Sequence, residues 1–235
     1  MEVHLSMKGV ISIFLILFIG CSLPSKDSSE KAISDSIPVI VSPANEKSKF
    51  QINQILTAHF SNWLEFQEST YGKVHLDSFK VESRSLWLKK VNESPSKEYL
   101  DMLNNYLTYS KDSLKFLDIY SGTVLFEKTS SGKLQGLYTL GSEVLFYDKM
   151  EGTKNYVEFE KAYFTFDDAS WLSNEEIVIV GDNCYKDSRE LSIWHINLQT
   201  KMIDRYFLKY FPKQFGNEYL TNIKLKAVNI YLDDQ

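Results

Sequence analysis

The hydrophobic pattern changes character three times along the chain. Residues 10–20 form an unbroken run of apolar and small side chains, and residues 22–36 are Ser-rich and charged. A short apolar patch at 37–41 interrupts this polar stretch. From Ser48 the pattern is helical: Ile52, Ile55, Leu56, Phe60, Trp63 and Leu64 fall on one face. Ser48 and Gln51 stand ahead of them at capping-box spacing. Ser94-Pro95 predicts the start of a second helix, with Tyr99, Leu100, Leu103, Tyr106 and Leu107 on its apolar face. Between the helices, 73–82 and 86–90 read as short strands.

After Ser110 the chain reads as strands and turns. Runs at 114–120, 123–128, 134–140, 143–148 and 156–160 are short and rich in β-branched or aromatic residues, with Gly-containing turns among them. Further runs lie at 162–166, 176–180, 191–198, 202–208 and 219–231. Turn signals this close together predict an antiparallel meander. The expected class is therefore α+β: two N-terminal helices packed on a largely antiparallel β-meander sheet. Residues 143–160 and 191–208 share a form, strand, turn, strand, with Asp148 and Asn197 in equivalent places 49 residues apart. That spacing resembles the blade grammar of β-propellers. A truncated or atypical propeller is the minor alternative, because a propeller needs at least four blades. The reading adopted is two β-meander units in one sheet system.

Composition narrows the functional classes. Net charge is −5, and no Lys/Arg cluster has the density of a phosphate-tracking surface, which argues against nucleic acid as a partner. The chain has two cysteines, Cys21 and Cys184. The apolar run is about half the roughly 20 residues that a membrane-spanning helix needs, and it fits the core of a secretory signal peptide. Lys8 supplies the basic residue before it, and Met7 reads as the natural start.

Phe18-Ile19-Gly20-Cys21 resembles the lipobox of bacterial lipoproteins: a small residue directly before a cysteine, then a polar successor, Ser22. Phe18 stands where Leu is usual. The resemblance implies diacylglyceryl transfer to the Cys21 thiol, cleavage before it and acylation of the new amino terminus, palmitate-type chains serving as the anchor. It also implies a cell-envelope location, and Ser22 points to the outer membrane. The expected organisation is signal peptide 1–20, lipidated Cys21 with a flexible tether to 47, and one globular domain over 48–235. The patch at 37–41 fits either an edge strand or a linker patch. The C-terminal texture resembles secreted bacterial lipoproteins of unknown function, which bring no activity with them.

The domain shows little recognisable chemistry. It has no G-x-S-x-G elbow, G-x-G-x-x-G, Walker loop or H-E-x-x-H. His59 lies on the first helix's apolar stripe, and His195 alternates with Trp194 and Ile196 toward the other sheet face. Neither they nor His75 have close-ligand spacing with Cys184, so a zinc site or cysteine nucleophile has no local support. Cys184 is expected to be a free thiol. Residues 181–191 read as a polar loop in which Asp182, Asp187 and Glu190 are weak oxygen ligands for a cation, without EF-hand spacing. Asp167-Asp168 read as a turn rather than a paired acid site. No cofactor is expected. The functional expectation is a binding or structural module, with the membrane, an envelope protein or a glycan as partner. An envelope hydrolase with a site hidden from local motifs is the alternative.

Overall fold

A computed structural model describes residues 40–43, 46–122, 124–131, 134–138, 143–157, 159, 164–185, 188–210, 219–225 and 231–232. The signal region, Cys21 and the tether up to 39 lie outside the described residues. The elements in chain order are β1 (Ile40–Pro43), α1 (Glu46–His59), α2 (Ser61–Tyr71), β2 (Lys80–Ser85), β3 (Leu88–Val91), α3 (Lys97–Leu103), β4 (Thr108–Tyr109), β5 (Lys115–Asp118), β6 (Val124–Lys128), β7 (Leu134–Tyr138), β8 (Val144–Asp148), β9 (Thr153–Val157), β10 (Thr165–Trp171), β11 (Glu176–Tyr185), β12 (Ser188–Asn197), β13 (Met202–Tyr210) and β14 (Tyr231–Leu232). Two short turns of helix, Leu76–Ser78 and Leu220–Leu225, complete the list.

The strands form three sheets: β1-β2-β13-β12-β11-β10, β3-β9-β8-β5-β4 and β14-β7-β6. This corrects the α+β expectation. The fold is predominantly β, with few helices, and its strands do not join into one meander sheet. Strand periodicity shows which residues alternate but carries no record of which strand pairs with which. The β6–β7 hairpin leaves the run between β5 and β8 and joins β14 instead. The run at 219–231, read as a strand, contains the helical turn Leu220–Leu225. The three sheets are unequal and are not repeated four-stranded blades. The two look-alike hairpins also sit apart, β8–β9 in the five-stranded sheet and β12–β13 in the six-stranded one.

Their turns are nevertheless alike. The Asp148 carboxylate accepts from the Met150 and Glu151 amides, and the Asn197 side-chain oxygen accepts from the Thr200 amide. Four residues on, Gly152 and Lys201 both take a left-handed backbone, φ 64° and 54°.

The helical face is buried as its period requires: Ile52, Ile55, Leu56, Phe60 and Trp63 cluster with Val178, Val180, Leu191, Ile193 and Tyr206 of the six-stranded sheet. The helix breaks at Phe60 (φ −133°), so one predicted element is two. The α3 cap is Ser96, whose hydroxyl accepts from the Tyr99 amide, rather than Ser94. The opposite face of the sheet, with Ile177, Ile179, Trp194, Ile196 and Ile203, packs with Phe116, Phe146 and Val157 of the five-stranded sheet. Ile40 pairs with Ser83, so β1 is an edge strand and ordered pairing begins ahead of Ser48.

Gly181 faces the irregular step between Phe166 and Asp168 on β10. A Cβ there would lie 2.0 Å from the Thr165 carbonyl oxygen, a backbone atom that cannot swing aside. Gly181→Ala is expected to cost about 2–3 kcal/mol in urea unfolding, the upper range for overpacking a core, whereas Lys201→Gly, which relieves a left-handed non-glycine residue, is expected to stabilise by about 0.5–1 kcal/mol.

Candidate functional site

A cluster of polar groups from distant parts of the chain surrounds Asp167 and Asp168. These residues are not a turn: they lie inside β10, at the bulge opposite Gly181 and Val180. A bulge disturbs the strict alternation of side chains, so neighbouring acids can be aimed at separate partners. Asp167 is buried and its Oδ2 accepts the Trp63 indole N–H at 2.8 Å. Trp63 comes from α2, 104 positions earlier. Asp168 forms an ion pair with Lys224 at 2.7 Å, from the C-terminal helical turn.

Two tyrosines adjoin this pair, and a third, Tyr99, lies against Asp118. Tyr120 donates weakly to the Asp167 carbonyl at 3.5 Å. Its hydroxyl is held well above the usual phenol range, first by burial and then by Asp168 and Asp167. Burial, then the same two acids, raises Tyr219 as well. Tyr99 donates to the Asp118 carboxylate, whose other oxygen accepts from the Tyr120 and Ser121 amides. Burial first, then the Asp118 charge, raises Tyr99. Such tyrosines are neutral donors at neutral pH, and the acids they touch are anchored acceptors. Gln67, one turn beyond Trp63 on the same face of α2, is fully buried.

The cation candidates are placed differently from the sequence reading. Residues 181–185 and 188–191 are strand rather than loop: they continue β11 and β12, with Asp182 paired across to Leu191. Asp182 is buried and receives the Arg189 guanidinium, Nε at 2.6 Å, and Arg189 also donates to the Tyr71 hydroxyl and lies over its ring at 4.4 Å. Glu190 receives Arg205, which also binds Glu82 at 3.0 Å and the Ser192 hydroxyl. Phe164 and Phe207 stand 4.8 Å from that guanidinium. Asp187 lies outside the described residues. Among the described residues no group of three His, Cys, Asp or Glu side chains is arranged to hold a metal ion.

The histidines are not gathered into one site. His59 is exposed and shares a hydrogen bond with the Ser170 hydroxyl at 3.1 Å. Ser170 pairs with Val178 and Val178 with His195. Ser170 and His195 therefore lie on one sheet face about 10 Å apart at ordinary strand spacing. His195 is 3.9 Å from Glu176. His75 precedes the Leu76–Ser78 turn, well apart in sequence, and Cys184 is opposite Arg189 on β12. Ser170 and His59 thus form a hydroxyl–imidazole hydrogen bond across 111 positions, and nothing in the sequence pattern signalled it.

An open groove of about 900 Å³ runs between α3 and β6. Met102, Phe126 and Tyr99 give it apolar surface, and Lys97, Asp101 and Lys128 give it charge. None of the histidines lines it.

No protein-family model matches the chain, and no curated protein matches it. Among solved structures the chain is similar to one titled a "putative conserved lipoprotein" from Clostridium novyi NT. The identity is 10%, the TM-score 0.29, and the match covers 57% of this chain and 74% of that one. A likeness at that level carries no argument for fold or activity. No helix among the described residues is long and apolar enough to cross a membrane.

Two outcomes are expected. Trp63→Phe removes the donor to a buried carboxylate and should cost about 1.5–3 kcal/mol in urea unfolding. Asp168 is raised above its ordinary 3.8, chiefly by burial, with Lys224 opposing. The folded state then keeps this proton longer than the unfolded chain, so the contribution of Asp168 falls as pH rises from about 3.8 through the folded value. The stability advantage of wild type over Asp168→Asn should shrink from acid to neutral pH; an advantage that grows would show that the Lys224 pair outweighs burial.

Proposed function

We propose that the protein is a lipid-anchored cell-envelope module, tethered through Cys21 and acting by binding or by structural support rather than by catalysis. The observation that carries this reading is the commitment of its polar groups. Asp118, Asp167, Asp168, Asp182, Glu82 and Glu190 each meet a donor from another part of the chain. Those contacts tie helix to sheet and strand to strand. A catalytic acid or base needs a reacting atom within hydrogen-bond reach, and these carboxylates are instead engaged by donors of the protein itself, Asp118, Asp167 and Asp182 of them fully buried.

The groove between α3 and β6 is the concave surface that such a module would present to an envelope protein or a glycan. Its mix of aromatic surface and a few charged groups is the usual lining of a binding site. The Gly20-Cys21-Ser22 sequence supports the anchor and an outer-membrane location. One acyl chain binds a membrane only marginally, whereas two or more hold it firmly.

Labelled fatty acid tests the anchor. Wild type is expected to incorporate label, and Cys21→Ser is expected to take up none and to persist as the uncleaved precursor. Equal labelling of the two, or no labelling of wild type, contradicts the proposal.

A further inference from the structure

The tether joins the fold at a defined place. Ile40 pairs with Ser83, and two residues further on Ser85 pairs with Met202. The incoming chain therefore arrives at the end of the six-stranded sheet that carries the β12–β13 turn. Hydrogen bonds tie the other turns at this end into one surface. The Leu86 amide donates to the Lys201 carbonyl at 2.8 Å, and the Leu198 amide donates to the Glu175 carbonyl at 2.8 Å. The Asp112 amide donates to the Asn174 side-chain oxygen at 3.1 Å, and the Lys149 amide donates to the Leu114 carbonyl at 2.9 Å. Residues 86–87, 198–202, 172–175, 110–115 and 148–152 thus form a continuous set.

These turns carry apolar tips. Trp87 is 56% exposed, Leu114 40%, Met150 75% and Met202 38%. They are four of the seven large exposed apolar side chains among the described residues, so they are not a random scatter. Exposed Lys89, Lys111, Lys149 and Lys201 stand among them.

We propose that this end of the protein is a membrane-contacting surface, which lays Trp87, Met202, Leu114 and Met150 on the headgroup region of a lipid bilayer. The inference rests on the anchor at Cys21. Tryptophan prefers the membrane–water interface, where its ring is half apolar and its N–H is wet. Lysine stems cover apolar surface while their ammonium groups stay in water or meet lipid phosphates. The chain between Cys21 and Ile40 is 18 residues. A coil of that length would span roughly 24 Å root-mean-square, by the usual 5–6 Å times the square root of length. The anchor therefore keeps this end beside the bilayer at high effective concentration, where weak contacts suffice. A second copy of the chain suits the surface less well: single tips separated by lysines and turns do not form the contiguous apolar centre of a packed interface.

The test uses the full lipidated chain in phosphatidylcholine vesicles, with and without brominated acyl chains that quench tryptophan on contact. Trp63, Trp171 and Trp194 are buried, so the emission lost in Trp87→Phe belongs to the exposed ring. Bromine is expected to abolish that component. In the Trp87→Phe background, Met150→Trp should be quenched. Phe50→Trp should not, because Phe50 lies on α1, beyond the Pro43 end of β1, away from the tether. If mass spectrometry finds acyl chains on Cys21 but neither Trp87 nor Met150→Trp is quenched, the surface assignment is overturned and the anchor stands. If Cys21 carries no acyl chain, both fall. If quenching disappears on dilution of protein in lipid while cross-linked dimers disappear with it, the surface is an interface between copies and the proposal is overturned.

Discussion

The constraint on which this structure depends is that the central strands of the six-stranded sheet are buried on both faces. Ile177 and Ile179 point into one cluster, and Val178 and Val180 into the other. The same alternation runs along β12, where Trp194 and Ile196 oppose Leu191 and Ile193. A strand so placed has no wet face on which to leave a polar side chain. A buried charge without partners is far more costly than any single packing contact is favourable. The buried charged residues on this sheet, Asp167, Asp182, Arg189 and Arg205, are accordingly met from inside the protein.

The observed pairs follow from that requirement. Arg189 and Asp182 lie on adjacent strands of one hairpin and meet each other. Arg205 is met by Glu82 and Glu190 from the strands on either side, β2 and β12. Asp167 has no such strand neighbour and is met by an indole from α2. The bulge at Asp167 and Asp168 lets one acid turn to α2 while the next meets Lys224. The same contacts that satisfy the charges also fix α2 and the C-terminal turn against the sheet. The cluster of acids and tyrosines is thereby part of the contacts that hold α2 and the C-terminal turn to the sheet.

The sequence revealed local order far better than partnership. The α1–α2 apolar face was legible because Ile52, Ile55, Leu56, Phe60 and Trp63 keep one period through the break at Phe60; the break itself leaves that period undisturbed and so left no trace. Most strand positions were legible from alternation, but the division into three sheets was not, because pairing is decided by contacts between distant segments. Asp167-Asp168 looked like a turn, since the Trp63 donor that makes them tolerable in a strand is 104 residues away. Residues 181–191 looked like a loop for a similar reason. A signal was present there: Asp182 and Arg189 have opposite charge at positions that a hairpin brings together, the arrangement expected of cross-strand pairs. At the chain start the motif around Cys21 was legible as a resemblance, and its chemistry stands as a proposal.

The central claim is that the buried ionic groups serve as cross-links of the fold, and a double-mutant cycle on Arg189 and Asp182 tests it most directly. Equilibrium unfolding is measured for Arg189→Met, Asp182→Leu and the double variant. Each single change should cost about 3–5 kcal/mol by stranding a buried charge, and the double variant should recover most of that loss. Single variants as stable as wild type, or losses that simply add in the double variant, would contradict the account.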